Sequence, residues 1–111
     1  MVMAKGRRKL GEMNQTEAEY AKLLEELRLS GNVAWWKFEA IKLKLAKNTT
    51  YTPDFFVMLS TGELQAHEIK GFWRDDARVK IKVAADIYPF KFVAVSKKTR
   101  KDGGGWRIEE F

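Results

Sequence analysis

The chain has 111 residues, with 45% hydrophobic and 13% aromatic side chains, which is the material of one domain with one modest core. No apolar run approaches the roughly 18 residues that span a bilayer, and the N-terminal charges have no apolar stretch behind them, so neither a membrane span nor a signal peptide is expected. Cysteine is absent, which excludes disulfides and thiolate metal sites, and a cytoplasmic protein fits.

Charge is distributed unevenly. The net charge is +6, from 21 Lys+Arg and 15 Asp+Glu. Residues 1–11 hold Lys5, Arg7, Arg8 and Lys9 with no acid, and residues 70–100 hold nine bases against Asp75, Asp76 and Asp86. The stretch 12–69 is net acidic, with nine acids against six bases. Acids gathered in one stretch and flanked by bases suit a polyanion held over a metal ion. The plainer reading is ordinary solubilising charge.

Residues 1–13 lack periodicity and read as a flexible basic arm ahead of a single domain over 14–111. Thr16 and Glu19 have capping-box spacing. Tyr20, Leu23, Leu24 and Leu27 then form one apolar stripe, and Gly31-Asn32 supplies a stop, which predicts a helix over 16–29. From Val33 to Leu45 apolar and polar residues alternate as in a strand, but the phase slips at Ala40–Ile41 and demands a bulge or a break. Asn48-Thr49-Thr50 reads as a loop. Residues 54–59 and 64–70, joined by Ser60-Thr61-Gly62-Glu63, read as a β-hairpin.

The segment 73–88 fits two periods. Arg78 to Val83 alternates like a strand, whereas Ala77, Ile81, Ala84 and Tyr88 lie on one helical face behind Asp75-Asp76. Its length without a turn favours the helix, which Pro89 ends. Strands follow at 90–95 and 106–111, around a basic, glycine-rich loop expected to be mobile. The order is helix, three strands, helix, two strands, an α+β or mixed α/β domain with a sheet flanked by helices.

With Thr61-Gly62 as the hairpin turn, Phe55 faces Glu68 and Pro53 faces Lys70, with Asp54 at the mouth between them. Glu68 and Lys70, two apart on a strand, point the same way. Two carboxylates with an open water shell bind Mg²⁺, with Mn²⁺ the alternative. Asp54 and Glu68 would be the ligands, the Ile69 carbonyl a third, and Lys70 the group that orients or deprotonates the attacking water in phosphodiester hydrolysis.

Pro53-Asp54 and, after thirteen intervening residues, Glu68-Ile69-Lys70 resemble the PD-(D/E)XK nuclease motif. The flanking Tyr51-Thr52-Pro53-Asp54-Phe55 and Glu68-Ile69-Lys70-Gly71-Phe72-Trp73 are similar to a small phage-encoded, Holliday-junction-resolvase-like group of that superfamily. The resemblance covers nearly the whole chain and implies a restriction-endonuclease-like αβββαβ core with a central mixed sheet. It implies a metal-dependent DNA endonuclease acting on branched DNA in phage recombination or DNA processing. It also implies a homodimer, and an acid from the first helix near the metal. Glu17 is the residue that carries over, with Glu19 assigned to the cap and helix-dipole complement the plainer reading of Glu17. Glu39, beside the strand slip, is a further candidate, against an exposed residue paired with a lysine.

Arg74, Arg78 and Lys82 recur every four residues, a stripe that follows phosphates or a solvated helix face. Trp73 stacks on an unpaired base or belongs to the core. Arg7, Arg8, Lys9 and the run Lys97-Lys98-Thr99-Arg100-Lys101 add sequence-independent grip. His67 alternates away from Glu68 and is expected to be packed or exposed. Trp35, Trp36, Phe38, Phe55 and Phe56 read as core or as a dimer surface. The alternative function is a catalytically silent nucleic-acid-binding module that keeps the fold. An RNA-binding α/β domain ranks last, because no aromatic strand motif is present.

Overall fold

The computed structural model describes residues 11–71 and 75–111. Arg7, Arg8, Lys9, Trp73 and Arg74 lie outside them.

Helix α1 (Gln15–Leu29) begins one step earlier than its sequence pattern suggests. Asn14, in extended backbone, is the N-cap, its side chain accepting from Glu17 N–H at 2.7 Å while the Glu17 carboxylate accepts from Asn14 N–H at 2.8 Å. This reciprocal box replaces the one expected from Thr16 and Glu19. Both pairs have the required spacing, and Asn14 wins because its own backbone leaves the helix there. Gly31, at φ +91°, lets the chain turn back so that Asn32 N–H reaches Leu27 O and Gly31 N–H reaches Arg28 O.

Five strands, β1 (Val33–Phe38), β4 (Phe55–Leu59), β5 (Leu64–Ile69), β6 (Lys91–Lys97) and β7 (Trp106–Glu110), form one sheet in the order β1-β4-β5-β6-β7. Neighbours are antiparallel except β5 and β6, which run parallel across helix α2 (Asp75–Ile87). A register shift between Val33 and Trp35 lets Val33 and Trp36, three apart, both join the α1-side core.

Of the bulge or break that the phase slip over 33–45 demanded, the chain takes the break. Glu39 takes a left-handed conformation, φ +50°, and its N–H donates to Asp54 O at 2.8 Å. The chain then leaves the sheet and forms a separate two-stranded hairpin, β2 (Leu43–Ala46) and β3 (Thr49–Tyr51). The phase slip at Ala40–Ile41 is this departure. Thr49 and Thr50, read as loop, are strand residues, and the turn lies at Lys47-Asn48 with Asn48 at φ +60°.

Each face of the sheet is covered. On one side Tyr20, Ala21 and Leu24 of α1 pack on Val33, Phe55, Val57, Val93 and Val95. On the other, Ile81 and Ala84 of α2 pack on Phe56, Ala66 and Phe92, with Leu43 and Tyr51 of the small hairpin completing the layer. Strand β4 supplies large residues to both faces, Phe55 to α1 and Phe56 to α2. Complete burial of Phe55 removes enough apolar surface to stabilise the fold by about 2–3 kcal/mol. The basic loop between β6 and β7, expected to be mobile, is closed by hydrogen bonds from Lys98 N–H to Gly105 O and from Gly104 N–H to Thr99 O. The fold is therefore mixed α+β, with a mixed central sheet and two helices. Among the described residues no helix is long and apolar enough to cross a membrane.

Candidate active site

The β4–β5 register decides the geometry. The connection is a three-residue loop, Ser60-Thr61-Gly62, with Gly62 at φ +96°, closed by Leu59 N–H to Glu63 O at 2.9 Å. Phe55 consequently faces His67, not Glu68. The two-residue turn expected from the sequence was short by one residue. Continuing the observed register one step places Asp54 across from Glu68, with the Ile69 N–H donating to Asp54 Oδ2 at 2.8 Å. The correction brings the two carboxylates directly opposite each other.

Strand periodicity puts Glu68 and Lys70 on one side as expected, with Lys70 Nζ 3.1 Å from Glu68 Oε2. The other oxygen, Oε1, accepts from the Tyr51 hydroxyl at 2.7 Å. The carboxylate is thus held at both ends. Burial, then the Glu68 charge, and then Glu17 push the Asp54 carboxyl up to about 8, against the opposing pull of the Ile69 N–H and Lys70. Burial and the Glu68 and Asp54 charges raise the Tyr51 hydroxyl far above its ordinary range, so it stays a hydrogen-bond donor.

Glu17 is buried and acts on Asp54 through its charge, so the first helix does bring an acid to this end of the sheet. It also closes the helix cap, so its role is double. Glu19 points elsewhere, to an ion pair with Lys97. Glu39 accepts from Gly11 N–H at 3.0 Å and forms no lysine pair among the described residues; its link to the site is the backbone bond to Asp54.

Glu68 and Lys70 open on a pocket of about 300 Å³ lined also by Thr50, Tyr51, Thr52, Asp76, Ala77 and Lys80. A larger hollow of about 510 Å³ lies at the hairpin-loop end, beside Gly62, Pro89 and Phe90, remote from these groups.

The α2 stripe is not a single unit. Arg78 grips Glu109 of β7 through both terminal nitrogens, at 3.1 and 2.6 Å, and its guanidinium lies over the Phe111 ring. That pairing turns it toward the sheet edge. Lys82 is exposed beside Ala85, Asp86 and Phe111, in a hollow that contains none of the site residues. Lys80, which the stripe omitted, is the α2 base that lines the site pocket, its Nζ 3.3 Å from Thr50 O. In the sequence Tyr51 stands out only as part of the Tyr51-Thr52-Pro53-Asp54-Phe55 segment. Its isolated position in a short strand gave no sign that its hydroxyl would reach Glu68.

His67 is packed on the opposite face. Its Nδ1 meets the Tyr20 hydroxyl at 2.7 Å and its Nε2 meets Gln65 Oε1 at 2.8 Å. Burial lowers it to about 4, so it is neutral at neutral pH and is a core residue. Phe38 and Trp36 pack on Phe55, whereas Trp35 is 42% exposed.

No protein-family model, curated protein or solved structure matches this chain.

As donors, Asp54 and Glu68 suit a hard divalent cation. The Glu68 charge raises the proton affinity of the facing Asp54, and a positive ion between the two relieves that repulsion. Among the described residues no three His, Cys, Asp or Glu side chains form a metal-holding group. Water would have to supply the remaining ligands, as is usual for Mg²⁺.

Proposed function

We propose that this chain is a metal-dependent nuclease of the PD-(D/E)XK type, hydrolysing phosphodiester bonds in DNA. The observation that carries the reading is the opposed pair Asp54 and Glu68, with Lys70 bound to Glu68 at the end of the same strand. The element order supports it. With the β2–β3 hairpin set aside, α1-β1-β4-β5-α2-β6 follows the αβββαβ sequence of the restriction-endonuclease-like core.

In this reading Asp54 and Glu68 hold Mg²⁺ or Mn²⁺, with the Ile69 carbonyl beside them at the end of β5. The bound ion supplies Lewis acidity at the phosphate and lowers the pKa of water. Lys70 places a positive charge at the mouth of the pocket, where it orients the attacking water and offsets charge growing on the phosphate oxygens. Tyr51 fixes the Glu68 carboxylate, so its orientation does not depend on the lysine alone. The branched-DNA substrate and the two-fold dimer implied by the resemblance belong to the same proposal.

The test is incubation with labelled four-way junction, flap, linear duplex and single-stranded DNA, in Mg²⁺ and in EDTA. Cleavage is expected only with metal, and neither Asp54→Asn nor Lys70→Ala should cut. Binding without cleavage of any substrate in Mg²⁺ or Mn²⁺ would replace the nuclease by a silent nucleic-acid-binding module.

A further inference from the structure

Several bases outside the pocket are neutralised where they stand. Arg28 pairs with Glu25, Arg78 with Glu109, Lys91 with Glu110 and Lys97 with Glu19. The small hairpin gathers bases that have no such pair. Between Glu39 and Asp54 the chain carries Lys42, Lys44 and Lys47 and no acid. All three are exposed, and none has an acidic partner among the described residues.

The fold fixes where these charges stand. Leu43 and Leu45 turn toward the α2-side core, so Lys44 alternates onto the outer face, and Lys42 stands exposed just ahead of the strand. Lys44 pairs in register with Thr50, whose carbonyl accepts from Lys80, and Thr50 and Lys80 line the pocket with Glu68 and Lys70. A cationic strip therefore leads from Lys70 through Lys80 and over Thr50 to Lys44 and Lys42. The hairpin carrying it is anchored twice, by Tyr51 to Glu68 and by the Tyr88 hydroxyl to Lys44 O at 2.7 Å.

We propose that the β2–β3 hairpin is the substrate-holding arm, seating the phosphate backbone of duplex DNA beside the cleaved bond. This rests on the nuclease reading and names the surface that reading lacks. Lysines clustered on one arm hold phosphates by charge and follow a backbone without reading its bases. The exposed positions of the hairpin are Lys42, Lys44, Ala46, Lys47, Asn48 and Thr50, with no aromatic ring on which an unpaired base would stack. The arm thus suits paired DNA, whose bases remain stacked inside.

The test measures binding in EDTA, where nothing is cut. Fluorescence anisotropy of a labelled linear duplex, and of a single strand of equal length, is followed from 50 to 200 mM salt. The proteins are wild type, the Lys42→Gln/Lys44→Gln/Lys47→Gln triple variant, and Lys22→Gln on the exposed side of α1. Thermal melts confirm that the variants fold. Three lost phosphate contacts lower the slope of log K against log salt by about 2.7, so over this range wild-type affinity falls about 40-fold more than that of the variant. A slope reduction of at least about 1.5 on duplex, exceeding that of Lys22→Gln, is the expected result. A smaller reduction, or one confined to the single strand, overturns the arm while leaving the nuclease reading intact. A wild-type protein that binds no DNA overturns both.

Discussion

Replacing Asp54 with asparagine probes the site without any substrate. The Asp54 carboxyl is raised from its ordinary 3.8 to about 8 by burial and by Glu68 and Glu17. Between those two values the native protein holds a proton that the unfolded chain has released, so stability falls as pH rises through the window. A shift of that size corresponds to at most about 5–6 kcal/mol at roughly 1.4 kcal/mol per unit. Glu68 and Glu17 share the repulsion and Lys70 offsets part of it, so the single replacement should recover about 2–3 kcal/mol at pH 8. Asparagine keeps an acceptor for the Ile69 N–H and turns an amide donor toward the carboxylates that repelled the aspartate. At roughly 4 °C per kcal/mol, Asp54→Asn should melt about 10 °C above wild type at pH 8 in EDTA, with a much smaller gap at pH 5. Circular dichroism melts from pH 5 to 8.5 would measure this. Added Mg²⁺ should raise the wild type and narrow the gap, because only the wild type binds it well. A gap that does not change with pH, or a variant less stable at pH 8, would refute the electrostatic account.

Other perturbations separate the remaining contacts. Tyr51→Phe removes the donor to Glu68 Oε1 and should slow metal-dependent cleavage about tenfold or more, with a smaller change in duplex affinity, read from kcat against KM. His67, lowered to about 4, contributes stability that is complete above pH 6.5 and lost as pH falls toward 4. His67→Gln should flatten that acid limb in melts between pH 4 and 7. Arg78→Ala breaks a half-exposed ion pair with Glu109 and should cost about 0.5–1 kcal/mol while leaving the salt dependence of DNA binding unchanged. A fall in that slope by about one would return Arg78 to the phosphate-binding surface. Asn14→Ala should cost about 1 kcal/mol in a denaturant titration, whereas Thr16→Ala should cost much less.

Local rules in the sequence determined the two helices, the hairpin around Gly62 and the shared direction of Glu68 and Lys70. Each follows from a period of 3.6 or 2 and from short-range turn chemistry, which involve residues only a few positions apart. The phase slip at Ala40–Ile41 marked a break, but nothing local said that the following strand would pair with Thr49–Tyr51 and lie over the α2 side. Loop length behaves similarly. Two or three residues at Ser60–Gly62 fit the same sequence, and the choice is made where Phe55 packs under Tyr20 and Phe56 packs toward α2. That choice sets Asp54 against Glu68. The remaining decisions join residues far apart in the chain: Tyr51 to Glu68, Arg78 to Glu109, and Lys80 rather than Lys82 to the pocket. Sequence spacing sets which side chains share a face, but only the assembled sheet sets which charge lies opposite and neutralises or opposes it.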